Sequence, residues 1–187
     1  MKDEYAIVLD YLQLGHSSQT KSHPIAQVIG EKFFNLLEVI PQDGTTLKTG
    51  DKVYIGQGKR DQIRSIVGKI TADKLTANAF SELEHQVKAL VQKDEKRFVD
   101  FFNTSGPLTT KLHQLELMHG IGKKHMWEII DTRKKKKFES FKDLKARVSL
   151  IPDPEMLIVK RIVAELEGKE KWYIFVTPPK AEEMKRY

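Results

Sequence analysis

The spacing of apolar residues changes once along this 187-residue chain, near residue 80, and that change constrains the fold more than any other feature. Before it, short apolar stretches rich in Val, Ile, Leu and Phe alternate with turn-forming residues, as β-strands do. After it, apolar residues recur every three or four positions, as on one face of an α-helix. Because no amphipathic helix separates the strands, we expect a small closed β barrel followed by helices, an α+β protein. The predicted strands cover residues 6–9, 26–29, 33–39, 53–55 and 63–70.

The chain divides into four segments by its apolar pattern and its helix-breaking residues. A capping box that begins at Ser81 starts a connecting amphipathic helix, which ends near Phe102, before Pro107. The predicted segments are a barrel over residues 1–77, the connecting helix over 78–105, a helical module over 106–177 and a polar tail over 178–187.

The helical module is predicted to contain four helices and a final strand. Gly168 is placed to end the last helix in a left-handed conformation. Residues 171–176 are apolar and aromatic, which favours a strand after that glycine. The first of the four helices carries an apolar stripe made of Leu108, Leu112, Leu115 and Met118.

A Gly-Ile-Gly turn joins the first two predicted helices of this module. Gly120 and Gly122 let the backbone turn tightly with positive φ, while Ile121 between them anchors the turn in the core. The first free amides of the next helix then point outward at its electropositive N-terminus, where a phosphate oxygen can bind. Two cationic side chains follow directly and add charge beside those amides, Lys123 and Lys124.

This segment resembles the helix-hairpin-helix nucleic-acid-binding modules, whose mark is a Gly-hydrophobic-Gly turn followed by basic residues and a second apolar stripe. The resemblance implies that the hairpin amides contact the sugar-phosphate backbone without reading bases. It also implies that the hairpin carbonyls hold a monovalent cation in some members, and no other cofactor is expected. Where the paired form of the motif has a second such turn, residues 149–154 of this chain contain Pro152 and Asp153 instead. We expect Asp153 to cap the last helix with its own carboxylate, so that phosphate binds only at the first turn.

The whole chain, a small barrel followed by this helical module, also resembles an uncharacterised archaeal family described as RNA-binding. That resemblance favours RNA over DNA as the partner. The predicted barrel is interpreted as OB-like, since it carries the mixture of basic and aromatic residues found on oligonucleotide-binding barrels. Those residues are Lys52, Tyr54, Lys59, Arg60 and Arg64.

The excess positive charge is concentrated in one segment. The formal net charge is +6, and residues 106–150 carry 11 basic and 5 acidic side chains, whereas the segments before and after them are balanced. Such a concentration is typical of a surface that binds a polyanion, here the RNA or DNA backbone. The run from Arg133 to Lys137 either extends that surface or is a solvated helix end. The candidate nucleic-acid-binding residues are Gly120, Ile121, Gly122, Lys123, Lys124, Arg133, Lys134, Lys135, Lys136 and Lys137.

Several function classes find no support in the sequence. The absence of Cys excludes a disulfide framework and a thiolate zinc site. No apolar run is long enough to span a membrane, so we expect a cytoplasmic protein with no membrane partner. A P-loop, a nucleophile elbow and a His-Glu-x-x-His helix are all absent, so neither catalysis nor a metal site is expected.

Two other functions remain open. The chain could be a protein-interaction module of a ribosome-associated or repair complex, in which the turn docks an acidic partner surface. It could also be a structure-specific nuclease or glycosylase, since such enzymes use helix-hairpin-helix modules. Trp127 and Trp172 either stack on bases or anchor the core.

Overall fold

The computed structural model describes residues 2–15 and 23–178 and has an α+β fold. A curled five-stranded antiparallel sheet, a half-barrel, is accompanied by five α-helices. The chain forms two compact units, one made of residues 1–86 and 164–187 and the other of residues 87–163. The first unit contains the sheet, and the second contains the Gly-Ile-Gly turn and the basic run.

The sheet consists of the five strands that the apolar pattern predicts. They follow the order β4-β1-β2-β3-β5, and every neighbouring pair is antiparallel. The predicted closure into a full barrel is wrong for the described residues, because β4 pairs only with β1 and β5 only with β3. The strand β4 is three residues long, too short to complete the ladder. The bounds are β1 Tyr5–Leu12, β2 Ile25–Gly30, β3 Leu36–Pro41, β4 Lys52–Tyr54 and β5 Ile63–Lys69.

Alternating strand residues build the core of the half-barrel. Register shifts in the β1–β2 and β3–β5 pairs mark bulges, which bend strands and increase the twist of a sheet. Apolar side chains of the strands, with Leu47 and Ile55 from outside them, pack into one cluster, consisting of Ala6, Val8, Ala26, Val28, Leu37, Val39, Leu47, Val53, Ile55 and Ile63.

Two helices replace the single connecting helix that the sequence predicts. The first, α1 (Ala77–Lys93), begins before Ser81, because Thr76 caps it by accepting a hydrogen bond from the Ala79 amide at 3.0 Å. Asp94 leaves the helical conformation with φ −119° and ψ 42°, and α2 (Glu95–Thr104) follows. Phe80, which lies at the start of the predicted helical segment 78–105, is 47% exposed.

The predicted helix with the stripe from Leu108 to Met118 is wrong. Among those residues only Gln114–Leu117 is helical, and it is a short 3-10 helix. The hydroxyl of Thr109 accepts hydrogen bonds from the Lys111 and Leu112 amides at 3.2 and 3.1 Å, and these local bonds compete with the helical ones. His113 then caps the 3-10 helix with its Nδ1 atom, which accepts from the Leu115 amide at 3.1 Å.

Three further helices complete the chain, α3 (Lys123–Lys135), α4 (Phe141–Arg147) and α5 (Pro154–Leu166). Gly168, two residues after the end of α5, has φ +71°, as predicted for a left-handed helix end.

The strand predicted over residues 171–176 is wrong. The backbone amides of Ile174, Phe175 and Val176 each donate to the carboxylate of Glu165 at 2.9 Å. Because a buried carboxylate satisfies these amides, the segment needs no sheet partner. Of the predicted polar tail, only Pro178 belongs to the described residues.

Candidate nucleic-acid interface

The Gly-Ile-Gly turn lies on the surface and is anchored by one buried side chain. The amide of Ile121 donates to the carbonyl of Met118 at 3.0 Å and closes the turn, with Gly120 at φ +90°. Ile121 is 4% exposed, as the sequence predicts, whereas Gly120 and Gly122 are both exposed. The turn is therefore open to a ligand.

The two glycines have different roles. Only Gly120 has positive φ, and a Cβ atom there would lie 3.2 Å from Cγ of Pro152, so both backbone conformation and space favour glycine. Gly122 has φ −88° and ψ −179°, an extended conformation open to any residue. The expectation that both glycines need positive φ is therefore wrong for Gly122. What its missing side chain provides is uncovered backbone at the start of α3, since no atom lies within 4 Å of its Cβ position.

The N-terminus of α3 presents unpaired amides. The first hydrogen bond of the helix runs from the Met126 amide to the carbonyl of Gly122 at 3.0 Å. No side chain caps the helix, and none of the described residues accepts from the amides of Lys123, Lys124 or His125. These donors lie at the positive end of the helix dipole, where an anion is stabilised. The side chains of Lys123 and Lys124 are exposed beside them.

One face of α3 carries most of the predicted basic residues. Met126 and Ile129 are 5% and 0% exposed and form the buried face. At about 100° per residue, Lys124, Lys134 and Lys135 lie on the outward half of the helix and Lys123 lies at its border, and all four are exposed. Lys123 and Arg133 both belong to α3, about 15 Å apart along its axis at ~1.5 Å per residue.

Arg133, a predicted binding residue, instead holds the end of α2. Its guanidinium donates to the carbonyl of Phe102 at 2.7 Å, and to the hydroxyl and carbonyl of Ser105 at 3.1 and 2.8 Å. Burial lowers the pKa of Arg133 from its usual value. These bonds give Arg133 a structural role at the C-terminus of α2, and its contact with a phosphate stays a prediction.

The lysines after Arg133 are exposed, and some form surface ion pairs. Lys134 lies 3.1 Å from Asp131, and Lys136 lies 2.9 Å from Glu139. Exposed pairs of this kind contribute little stability and are readily exchanged for another anion. Lys135 and Lys137 are exposed and belong to no ion pair among the described residues.

The end of α3 splits the basic run. Arg147 donates to the carbonyl of Lys136 at 2.6 Å and to that of Lys137 at 3.1 Å. The helix ends at Lys135, and Lys136 is extended with φ −157°. Lys136 and Lys137 therefore lie on the segment that leads to α4, not on the face of α3.

A second turn, between α4 and α5, matches the first in its backbone but not in its chemistry. Leu150 has φ +55° and is followed by Ile151, which is 6% exposed. Gly120 and Ile121 show the same order, a left-handed residue followed by a buried isoleucine. Here, however, Oδ1 of Asp153 accepts from the amides of Glu155 and Met156 at 3.1 and 3.3 Å. The expectation that this turn is closed by its own carboxylate is confirmed.

Two large apolar side chains in this unit are exposed, and neither is among the predicted site residues. Trp127 on α3 is 58% exposed, and Leu150 in the second turn is 86% exposed. The helical period itself contains the signal for Trp127, because one residue after Met126 lies about 100° away from the buried stripe. No sequence signal identifies Leu150, whose position depends on the fold of its turn.

The basic residues of the half-barrel are largely engaged in contacts within that unit. Lys52 pairs with Glu31 at 2.8 Å and lies 4.1 Å from the ring centre of Tyr5. Arg60 donates to the carbonyl of Gly56 at 2.9 Å. Arg64 pairs with Asp43 at 3.0 Å. A cavity of about 420 Å³ nearby is lined by Tyr5, Tyr54, Gly58, Lys59, Asp61 and Gln62.

The described part of the chain contains neither a candidate metal-binding group nor a helix suited to span a membrane. Residues 2–15 and 23–178 contain no group of three or more His, Asp or Glu side chains arranged to hold a metal ion. None of the helices in those ranges has both the length and the apolar character needed to cross a membrane.

Comparison with known proteins places the chain among archaeal relatives. The "Uncharacterized protein MJ0038" of Methanocaldococcus jannaschii is 46% identical over 176 residues, which cover 93% of this chain and 80% of that protein. The crystal structure of Af1531 from Archaeoglobus fulgidus matches with a TM-score of 0.86 and 43% identity, covering 94% of this chain and all of the other. A family model described as "Protein of unknown function (DUF655)" matches residues 2–177. The chain therefore belongs to the DUF655 family of archaeal proteins, as the expected resemblance to an uncharacterised archaeal family predicts.

Proposed function

We propose that this protein binds nucleic acid, RNA in preference to DNA, by holding the sugar-phosphate backbone at the N-terminus of α3 with little sequence preference. The preference for RNA derives from the family resemblance alone, since no residue of the site distinguishes a 2′-hydroxyl. The contact is made by the amides of Lys123, Lys124 and His125 together with the two lysine side chains. Lys134 and Lys135 extend the same face.

The observation that carries this proposal is the contrast between the two turns. Both have a left-handed residue before a buried isoleucine, and both lead into a helix. The turn before α5 is closed by the carboxylate of Asp153, whereas the turn before α3 has a glycine at the cap and lysines beyond it. An uncapped helix N-terminus costs stability, and here the missing cap coincides with concentrated positive charge.

The arrangement of the turns supports a relation to paired helix-hairpin-helix modules. The second hairpin would consist of α4 and α5, and the first would have a 3-10 helix in place of its leading α-helix. Similarly, an all-antiparallel five-stranded half-barrel has the strand number and partly open form of the oligonucleotide-binding barrels, so we propose the OB-like relation for the sheet.

A salt titration of binding tests the proposal. The protein is titrated with labelled single-stranded RNA, duplex RNA and duplex DNA at several salt concentrations. Replacement of Lys123 and Lys124 by Glu should weaken binding more than tenfold. The salt dependence should also become weaker. For a single strand, the magnitude of the slope of log affinity against log salt should decrease by at least about 1.4, at ~0.7 for each phosphate that the lysines no longer neutralise.

A matched variant separates the site from overall charge. Lys142→Glu with Lys160→Glu changes the net charge equally in the same unit, at exposed lysines on α4 and α5. We expect that variant to retain most of the affinity. If both double variants lose binding equally, long-range charge and not the turn is responsible.

The protein-interaction alternative gives a different outcome in the same experiment. A chain that docks an acidic protein surface would bind none of the three nucleic acids at moderate salt. That result would contradict the proposal directly, without use of any variant.

A further inference from the structure

We infer that Trp127 stacks on an unpaired base of the bound strand, so that the target is single-stranded nucleic acid or a structured one with unpaired bases. This inference rests on the proposed function and deepens it. The backbone contact alone predicts equal affinity for paired and unpaired strands. An exposed indole beside it can stack only on a base whose face is accessible.

The position of Trp127 on α3 places the indole next to the proposed phosphate site. Residues three and four positions apart lie on the same face of a helix, so Trp127 follows Lys123 and Lys124 on the outward side. The separation is about one turn, ~5.4 Å along the axis. A phosphate on the α3 amides and a base on the indole can therefore belong to the same or to adjacent nucleotides.

The core of this unit does not require the indole. Trp127 is 58% exposed, whereas the neighbouring residues Met126 and Ile129 on the same helix are 5% and 0% exposed. Phe98 and Phe102 in the same unit are also buried, at 1% and 0%. The largest apolar side chain of α3 thus remains in solvent, which is typical of a residue that buries its surface on binding.

The charge around the indole decides what it binds. Lysines precede Trp127 on its face, and Lys134 and Lys135 follow it. Asp131, one turn after Trp127, pairs with Lys134 at 3.1 Å. An apolar partner surface without negative charge would leave the other three lysines, Lys123, Lys124 and Lys135, without a counterion among the described residues. A polyanion with aromatic groups satisfies both features at once, because its phosphates pair with the lysines while a base covers the ring.

Leu150 lies one residue after a contact between the second turn and α3. The amide of Ser149 donates to the carboxylate of Glu128 at 2.6 Å, so the residues next to Leu150 and Trp127 in the sequence are in direct contact. Leu150 is 86% exposed and has φ +55°, a conformation that costs a non-glycine residue energy. An exposed leucine held in this conformation suits a side chain that contacts the edge of a stacked base.

The test follows the fluorescence of Trp127 in a Trp172→Phe background, which leaves it as the only tryptophan. Binding of a single-stranded RNA should quench this fluorescence, whereas an abasic strand of equal length should bind more weakly and quench little. Trp127→Ala should weaken single-strand binding about 5- to 150-fold, from the usual magnitude of base–aromatic stacking. Trp127→Phe should restore most of the affinity, and blunt duplex binding should change less than about twofold.

Two controls separate stacking from loss of structure. The indole of Trp127 is mostly exposed, so Trp127→Ala should leave the unfolding temperature unchanged. Phe80→Ala removes another exposed aromatic residue, on α1, and should leave single-strand affinity unchanged.

The outcomes distinguish this inference from the proposed function. If Lys123→Glu with Lys124→Glu abolishes binding while Trp127→Ala does not weaken it, the backbone contact stands and the stacking inference is wrong. Equal quenching by heparin, which has no bases, would also overturn the stacking. If neither variant affects binding, the proposed function itself is wrong.

Discussion

Substitution of Gly122 by Asp should raise stability and lower nucleic-acid affinity in the same molecule. Gly122 already has the extended conformation of a helix cap, and nothing lies within 4 Å of its Cβ position. An Asp there can accept from the free amides of α3, as Asp153 does for α5. Exchange of Gly for Asp at a cap is worth a few tenths of a kcal/mol, and the charge at the helix dipole adds about 0.3–1 kcal/mol. We therefore expect a gain of about 0.5–1 kcal/mol.

The same carboxylate should exclude phosphate from the turn. It occupies the amides that we assign to the backbone and places a negative charge about 4 Å from the phosphate. Repulsion at that distance is about 1 kcal/mol in water and ~4 kcal/mol at an effective dielectric constant of 20. Affinity should therefore fall at least about fivefold, and by up to about 1000-fold.

Thermal unfolding and fluorescence anisotropy at one fixed salt concentration measure the two effects. The unfolding temperature should rise by about 1–4 °C, at 2–4 °C for each kcal/mol in a chain of this length. Gly122→Asn is the matched control, because it caps the helix without charge and should cost less affinity than Gly122→Asp. A stabilised Gly122→Asp variant with unchanged affinity would refute the assignment of the α3 amides to phosphate.

Three further predictions concern Arg133, Leu150 and His113. Arg133→Leu should lower the free energy of unfolding by about 2–3 kcal/mol, because it leaves carbonyls at the end of α2 without donors, yet folded protein should keep its RNA affinity within about twofold. Leu150→Gly should raise the free energy of unfolding by about 1 kcal/mol in denaturant titrations, since it removes a positive-φ penalty from an exposed residue. Burial, and then the charge of Arg133, lower the pKa of His113 below the ordinary value near 6.5, so the unfolded chain takes up this proton first on acidification. The contribution of neutral His113 to stability is complete above about pH 6.5 and declines as the pH falls below it. Between about pH 7.5 and 5, the unfolding temperature should therefore fall more steeply with pH than that of a His113→Gln variant.

The parts of the fold that local pattern determines were predictable. Five strands follow from short apolar runs between turn residues, and the burial of Ile121 follows from its place between two glycines. The cap formed by Asp153 follows from its position before Pro154. In each case the signal comes from the residue's own neighbours in the sequence, so spacing alone contains the information.

The structure adds to or departs from the sequence interpretation where the partner is distant or where side chains compete with the backbone. Arg133 looked like part of a basic run, but its acceptors lie about 30 residues earlier, at the end of α2. The aromatic segment before Pro178 looked like a strand, but the carboxylate of Glu165 satisfies its amides. The apolar stripe from Leu108 looked helical, but the hydroxyl of Thr109 captures the amides that a helix would use.

The outward direction of Trp127 is an intermediate case. The period of α3 places it away from the buried stripe, but tryptophans occur more often in cores than on surfaces, so the sequence alone favoured burial. Only packing shows that Met126 and Ile129 fill the inner face without it.

Amide NMR of the labelled protein during titration with single-stranded RNA tests the central claim most directly. The backbone amide resonances of Lys123, Lys124 and His125 should shift in a saturable way and with the same affinity as the binding curve, and in Gly122→Asp the same shifts should need at least about fivefold more RNA. Saturable binding that leaves all three resonances in place, while resonances elsewhere move, would contradict the assignment of phosphate to the N-terminus of α3.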